Sequence, residues 1–135
     1  MQKKNIIGLI GLGYVGLPLL LQINKKFTVY GFDIDDHKIG LLKKKTSYIS
    51  DISKQDLSSL KSERIFNLKY SLDKISECNF LILCLPTPLK KGEPDMSSIK
   101  KSLNLIFPYL KKKTNYYIGK QRLPWSNRGY SCKKN

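Results

Sequence analysis

Acidic residues are scarce in this chain: 10 Asp and Glu stand against 25 Lys and Arg, a formal net charge of +15. Such an imbalance invites a nucleic-acid reading, and a second scarcity argues against it. Only three of the basic residues are arginine (Arg64, Arg122, Arg128), whereas nucleic-acid sites interleave arginine with aromatic side chains on one face. The lysines are scattered on polar helix faces or bunched at helix ends, at 43–45 and 111–113. Solvated surface explains them, and no specific nucleic-acid partner is expected. Histidine occurs once, as His37, after an acidic pair at a helix start and so expected in solvent. No nucleophile–base pair is visible. The cysteines (Cys78, Cys84, Cys132) are odd in number and lack metal-ligand spacing, so no metal site is expected, and their usage suits a reducing cytoplasm. Long apolar runs are missing too. The apolar stretches are short and broken by glycine or proline, and the first five residues lead straight into a strand, so neither a membrane span nor a secretory leader is expected. At 135 residues the chain has the length of one domain with a modest core.

Residues 6–35, IIGLIGLGYVGLPLLLQINKKFTVYGFDID, carry most of the information. Gly11, Gly13 and Gly16 form a G-x-G-x-x-G turn between an apolar strand and a helical apolar pattern (Val15, Leu17, Leu19, Leu20, Ile23). A second strand then ends on Asp33, twenty-two residues after Gly11. Glycine turns are common, but with strand, helix and acid in these places the pattern is that of a dinucleotide site. Gly11 permits the tight turn, Gly13 lets the backbone approach a pyrophosphate, and Gly16 lets the helix pack on the strands. The helix beginning near Tyr14 and Val15 points unpaired N–H groups and its positive dipole end at the phosphates. Asp33 is placed to accept hydrogen bonds from both adenosine ribose hydroxyls. Its charge would repel a 2′-phosphate, which favours NAD over NADP. Lys38 is either a neighbour of that ribose or a solvated helix lysine.

Strand and helix patterns alternate along the chain. Strands are predicted at 5–10, 27–33, 66–70 and 79–85, and helices at 14–25, 35–44, 53–61, 72–77 and 96–110. The unbroken apolar run NFLILCL (79–85) implies burial on both faces, as in a parallel sheet. Asp95 is placed to cap the last helix, whose stripe is Ile99, Leu103, Ile106, Phe107 and Leu110. The fold class is α/β: a doubly wound parallel sheet, a Rossmann-type NAD-binding domain. Pro86-Thr87-Pro88 ends the fourth strand, where ligands bind in such sheets. Thr87 there either offers its hydroxyl to the cofactor or belongs to a rigid turn with no ligand.

In order, IGLGYVGLPLL (10–20), GFDID (31–35), LPTP (85–88) and PD (94–95) resemble the amino-terminal domain of the UDP-glucose/GDP-mannose dehydrogenase family. The likeness spans roughly residues 5–114 and is strongest to the bacterial UDP-N-acetylhexosamine 6-dehydrogenases of polysaccharide synthesis. It implies NAD as cofactor and two successive oxidations of a nucleotide-sugar C6 alcohol to the uronic acid. A UDP-sugar substrate and a homo-oligomer of the full-length protein are implied as well. The catalytic cysteine and lysine of that family lie in a later region, so none of the residues here is assigned a catalytic role. Cys132 does not correspond to the nucleophile.

Departure from the family pattern begins near residue 116. The stretch 116–135 has five basic residues, no acid and the only tryptophan. Where the family resembles ESTVYPGATEE, codons permitted for YYIGKQRLPWSNRG, shifted by one nucleotide, translate as IILESNVYPGATE. The expectation is an incomplete NAD-binding domain over 1–115, cut short at its C-terminal end. A basic, disordered tail from a frame slip near 114–117 follows, and the sheet lacks its fifth strand. Such a chain would bind NAD and be inactive alone. Two other readings stand: a stand-alone NAD-binding module without catalysis, and nonspecific polyanion binding by the lysine-rich surface.

Overall fold

The computed structural model describes residues 5–111 and 114–118. Strand β1 (Ile6–Ile10) leads through the glycine turn into helix α1 (Gly16–Asn24), and β2 (Thr28–Asp33) into α2 (Asp36–Lys43). After short 3₁₀ turns come β3 (Ile65–Asn67), a 3₁₀ segment over Leu72–Glu77, and β4 (Phe80–Leu83). A small hairpin, β5 (Leu89–Lys90) with β6 (Glu93–Pro94), precedes α3 (Ser97–Ile106) and β7 (Asn115–Ile118). The main sheet has five strands in the order β3-β2-β1-β4-β7, and every pair in it is parallel.

Alternation along the strands splits the core between the two faces of the sheet. Leu9 and Val29 join Leu17, Leu20, Ile39 and Leu42 of α1 and α2, together with Ile49, Ile52, Leu57 and Leu60 from the segment after α2. Ile10, Phe32, Leu81 and Leu83 join Ile75, Ile99, Leu103, Ile106 and Leu110 on the other face. Helices therefore cover both sides, as the apolar strand runs predict. Facing residues Phe32 and Phe66 stack across the β2–β3 pair with ring centres 5.5 Å apart, which fixes the register of that short pairing.

Helix ends follow local chemistry. Asp35 caps α2 by accepting hydrogen bonds from the N–H groups of His37 (2.9 Å) and Lys38 (3.3 Å). Lys45 closes that helix in the left-handed region at φ 58°, while the Lys45 and Thr46 N–H groups bond back to Leu42 and Leu41, a Schellman ending. The last helix becomes 3₁₀ over Phe107–Tyr109, because Pro108 lacks an N–H and its ring obstructs the preceding α-helical turn.

Several boundaries differ from the sequence expectation. Strand β3 covers 65–67 rather than 66–70, since the Asn67 side chain accepts from the Lys69 N–H at 2.9 Å and turns the chain away. Strand β4 stops at Leu83, two residues short, ahead of Pro86, and Phe80 at its start is 37% exposed. The hairpin was not anticipated; its turn residues Lys91 (φ 54°) and Gly92 (φ 79°) supply the two left-handed positions of a two-residue connection. The larger correction concerns the fifth strand, which is present. Residues 115–118 pair with 80–83 in parallel register and cross the expected boundary at 115. Tyr and Ile are strong strand formers, and the segment NYYI pairs without the family-like sequence expected after it. The rest of the expected tail, 119–135, lies outside the described residues.

Candidate functional site

The carboxyl ends of β1, β2 and β4 open into one cleft of about 840 Å³, large enough for an extended organic ligand. Gly11, Gly13, Tyr14 and Val15 line it from the glycine turn, Asp33 and Lys38 from the end of β2 and from α2, and Thr87 from the segment after β4. Seven of the eight residues singled out in the sequence therefore meet around one cavity. Gly16 does not line it; it is buried beneath the turn.

The three glycines do different work. Gly11 has φ 97°, and a Cβ there would stand 2.4 Å from the Cys84 carbonyl oxygen. A Cβ on Gly16 would stand 1.6 Å from the Gly11 carbonyl oxygen. Both are demanded by the protein's own backbone. At Gly13 a Cβ would meet nothing within 4 Å, so the fold does not call for glycine there. Beside it, α1 starts without a side-chain cap, Val15 being the N-cap residue. In its first turn the Leu17 N–H bonds back to the Gly13 carbonyl at 3.0 Å and Pro18 has no N–H, so it is the positive dipole end of the helix that is left to the cleft.

Asp33 is 8% exposed, and backbone donors orient both its oxygens. Oδ2 accepts from the Leu12 N–H at 2.8 Å and Oδ1 from the Asp35 N–H at 2.9 Å. Each oxygen keeps a lone pair for a ligand hydroxyl. Thr87 is buried as well, and its hydroxyl has no hydrogen-bond partner. A buried hydroxyl without a partner costs free energy, and this one belongs to a residue of the cleft wall.

Sequence reasoning missed three parts of the site. Ser98, Lys101, Ser102 and Leu105 of α3 form the facing wall. Their spacing is that of a second helical stripe, a signal the sequence did contain. The residues beside Asp33 and Thr87, among them Ile34, Leu68, Leu85 and Pro86, add apolar surface. Tyr48, from the segment after α2, donates its hydroxyl to the Leu12 carbonyl, and the Lys38 ammonium lies 5.8 Å from the centre of its ring. No motif announces that contact. Burial first, then the charges of Asp33 and Asp35, push the Tyr48 hydroxyl above its ordinary range, so it stays a donor at working pH. Cys84 also lines the cleft; it is half-buried, and burial raises its thiol pKa. His37 is exposed. Among the described residues no group of three or more His, Cys, Asp or Glu is arranged to hold a metal ion.

With this geometry in place, the comparisons with known proteins agree on one relationship. Residues 5–121 match the family model described as UDP-glucose/GDP-mannose dehydrogenase family, NAD binding domain. UDP-N-acetyl-D-glucosamine 6-dehydrogenase of Pseudomonas aeruginosa is 35% identical over 107 residues, 78% of this chain and 25% of that protein. UDP-N-acetyl-D-mannosamine dehydrogenase of Escherichia coli K12 is 31% identical over 110 residues, again 78% of this chain and 25% of the relative. The chain thus spans about a quarter of the length of the curated relatives it matches. GDP-mannose dehydrogenase from Pseudomonas aeruginosa superposes with a TM-score of 0.74 at 24% identity, over 88% of this chain and 29% of that one. At that identity the likeness is one of fold.

Proposed function

Because this chain belongs to the UDP-glucose/GDP-mannose dehydrogenase family and carries its NAD binding domain, we propose that the cleft at the strand ends holds NAD through the residues that line it. In this reading Gly13, Tyr14 and Val15 give the pyrophosphate their backbone, and Gly11 and Gly16 shape the turn. Asp33 takes the adenosine ribose hydroxyls with Lys38 at the rim, and Thr87 donates or accepts through its hydroxyl. The observation that carries the reading is that hydroxyl, buried and without a partner in the protein's own structure. The open space at Gly13 agrees with it. Bound there, NAD supplies a hydride acceptor; the chain's own part is to bind and orient it. Titrating the protein with NADH while following its fluorescence tests the reading, and no saturable binding at millimolar concentrations would reject it.

For the whole protein we propose oxidation of a nucleotide-sugar C6 alcohol to the uronic acid, with a UDP-N-acetylhexosamine as the substrate class and the cytoplasm as the site. Support comes from the names of the relatives and, for the compartment, from the free thiols Cys78 and Cys84. No residue of this chain is given a catalytic role; its own part in this reading is to hold the cofactor. The alternative, a stand-alone NAD-binding module, predicts the same binding. The two part at the nucleotide level. In the first reading the frame slips near 114–117, within the stretch that forms β7, and the basic residues after it are translated out of the family's frame. The shifted frame should then continue into dehydrogenase sequence, and its absence there would favour the module.

A further inference from the structure

Two successive peptide groups of the glycine turn are held, by residues far apart in the chain. The Leu12 N–H, in the peptide joining Gly11 to Leu12, is bound by Asp33 at 2.8 Å. The Leu12 carbonyl belongs to the next peptide, the one that carries the Gly13 N–H. It is bound by the hydroxyl of Tyr48, thirty-six positions away. A peptide group is planar and trans, so fixing the Leu12 carbonyl fixes the opposite direction of the Gly13 N–H. That amide stands where a side chain would meet only open space, at the lip of the cleft.

We propose that Tyr48 is a positioning residue for the dinucleotide: its hydroxyl sets the Gly13 amide in the direction that receives the pyrophosphate. This rests on the NAD reading of the cleft and adds to it a residue outside the glycine motif. The segment bearing Tyr48 is well placed for the task. The Schellman ending of α2 turns the chain back, and Ile49 and Ile52, 6% and 8% exposed, bury the segment against the core. That anchoring does not use the hydroxyl. Burial first, and then the charges of Asp33 and Asp35, disfavour ionisation of the phenol, and the Lys38 ammonium over its ring holds the aromatic plane.

The test uses the full chain and Tyr48→Phe, which keeps the ring and removes the donor. Binding of NADH is followed directly, and ADP and adenosine are measured by competition. A lost hydrogen bond of ordinary strength corresponds to roughly tenfold in affinity. The expected result is that loss for NADH and ADP, with adenosine, which has no phosphate, changed by less than about twofold on the same reasoning. In unliganded protein the amide resonance of Gly13 should shift while those of β1 and α3 stay in place. Wild-type affinity for NADH and ADP in the variant would overturn the proposal. So would an equal loss for adenosine, which would put the effect at the ribose end, or a general collapse of the spectrum, which would make Tyr48 a folding residue. Should the wild-type chain bind neither NADH nor ADP, the NAD reading itself fails and takes this proposal with it. An unmoved Gly13 resonance in a variant beside a wild type that binds sinks the Tyr48 role alone.

Discussion

The carbonyl oxygen of Gly11 occupies the space that a side chain on Gly16 would need: a Cβ there would lie 1.6 Å from it. Glycine at 16 is thus required by the turn itself, whereas glycine at 13 is not required by any protein atom within 4 Å. The two substitutions should separate folding from binding. Gly16→Ala forces apart two pieces of backbone that have no rotamer to adjust, and overpacking of this sort costs about 1–3 kcal/mol or more. It should lower the melting temperature sharply or prevent folding. Gly13→Ala should leave the melting temperature of the free protein within about 2 °C, on the scale of a ΔΔG below 1 kcal/mol. It should still weaken NADH binding by roughly tenfold or more, if one phosphate–amide hydrogen bond is lost. Equal effects on stability from both changes would contradict this division.

Thr87 allows a sharper test, because the two effects have opposite signs. Its hydroxyl is buried and unpartnered, a state that costs about 1–3 kcal/mol relative to a satisfied group. Thr87→Val keeps the shape and removes the cost, so the free protein should be unchanged or more stable by up to about 1 kcal/mol. NADH affinity should fall by roughly five- to tenfold, the value of one hydrogen bond. Urea unfolding of both forms, with and without NADH, reads both quantities. A variant that is less stable without NADH would mean that the hydroxyl has a partner in the protein itself.

Asp33 serves fold and ligand together, so Asp33→Asn should cost both. The carboxylate accepts from the N–H groups of Leu12 and Asp35 with different oxygens. An amide has only one oxygen to offer and would turn its NH₂ towards the other donor. A loss of about 1–3 kcal/mol in stability is expected from one unsatisfied buried group, with weaker NADH binding. Removing the negative charge should also narrow the preference for NADH over NADPH. A preference ratio left unchanged in the variant would show that Asp33 does not face the 2′ position.

How much of this was legible in the sequence depends on the range of the interactions. The glycine turn and the α3 core stripe are set by neighbours within a turn or two, and both were readable; the Asp35 cap is equally local but was not singled out. Asp33 was readable because a βαβ unit fixes its distance from Gly11. Tyr48 was not, since its partner is thirty-six positions away and no periodicity links a loop tyrosine to a carbonyl. The fifth strand was missed for a different reason. Its absence was inferred from the departure from the family pattern and the frame slip read near 114–117, yet pairing with β4 needs only the four residues 115–118. Strand ends were misjudged where a side chain, as at Asn67, or a downstream proline, as at Pro86, stops the ladder before the apolar run stops.

Alkaline pH should act on the fold through Cys78. The residue is fully buried against the sheet, and burial, with a smaller contribution from the Glu77 charge, pushes its thiol up from 9.0 to about 12. In the unfolded chain the thiol ionises near its ordinary value, while in the folded chain it stays protonated. Between these two values the unfolded state has therefore released a proton that the folded state keeps. The stability due to this residue is fully present below about pH 9 and is lost as pH rises towards 12. Linkage sets the slope at about 1.4 kcal/mol per pH unit for one such group. Lysines and tyrosines titrate in the same range, so the quantity to measure is the difference between wild type and Cys78→Ala in urea unfolding from pH 8 to 10.5. Cys78→Ala should start out less stable, because it leaves a small cavity beside Gly8 and Leu81, and the gap should close as pH rises. A gap independent of pH would place the thiol in contact with solvent.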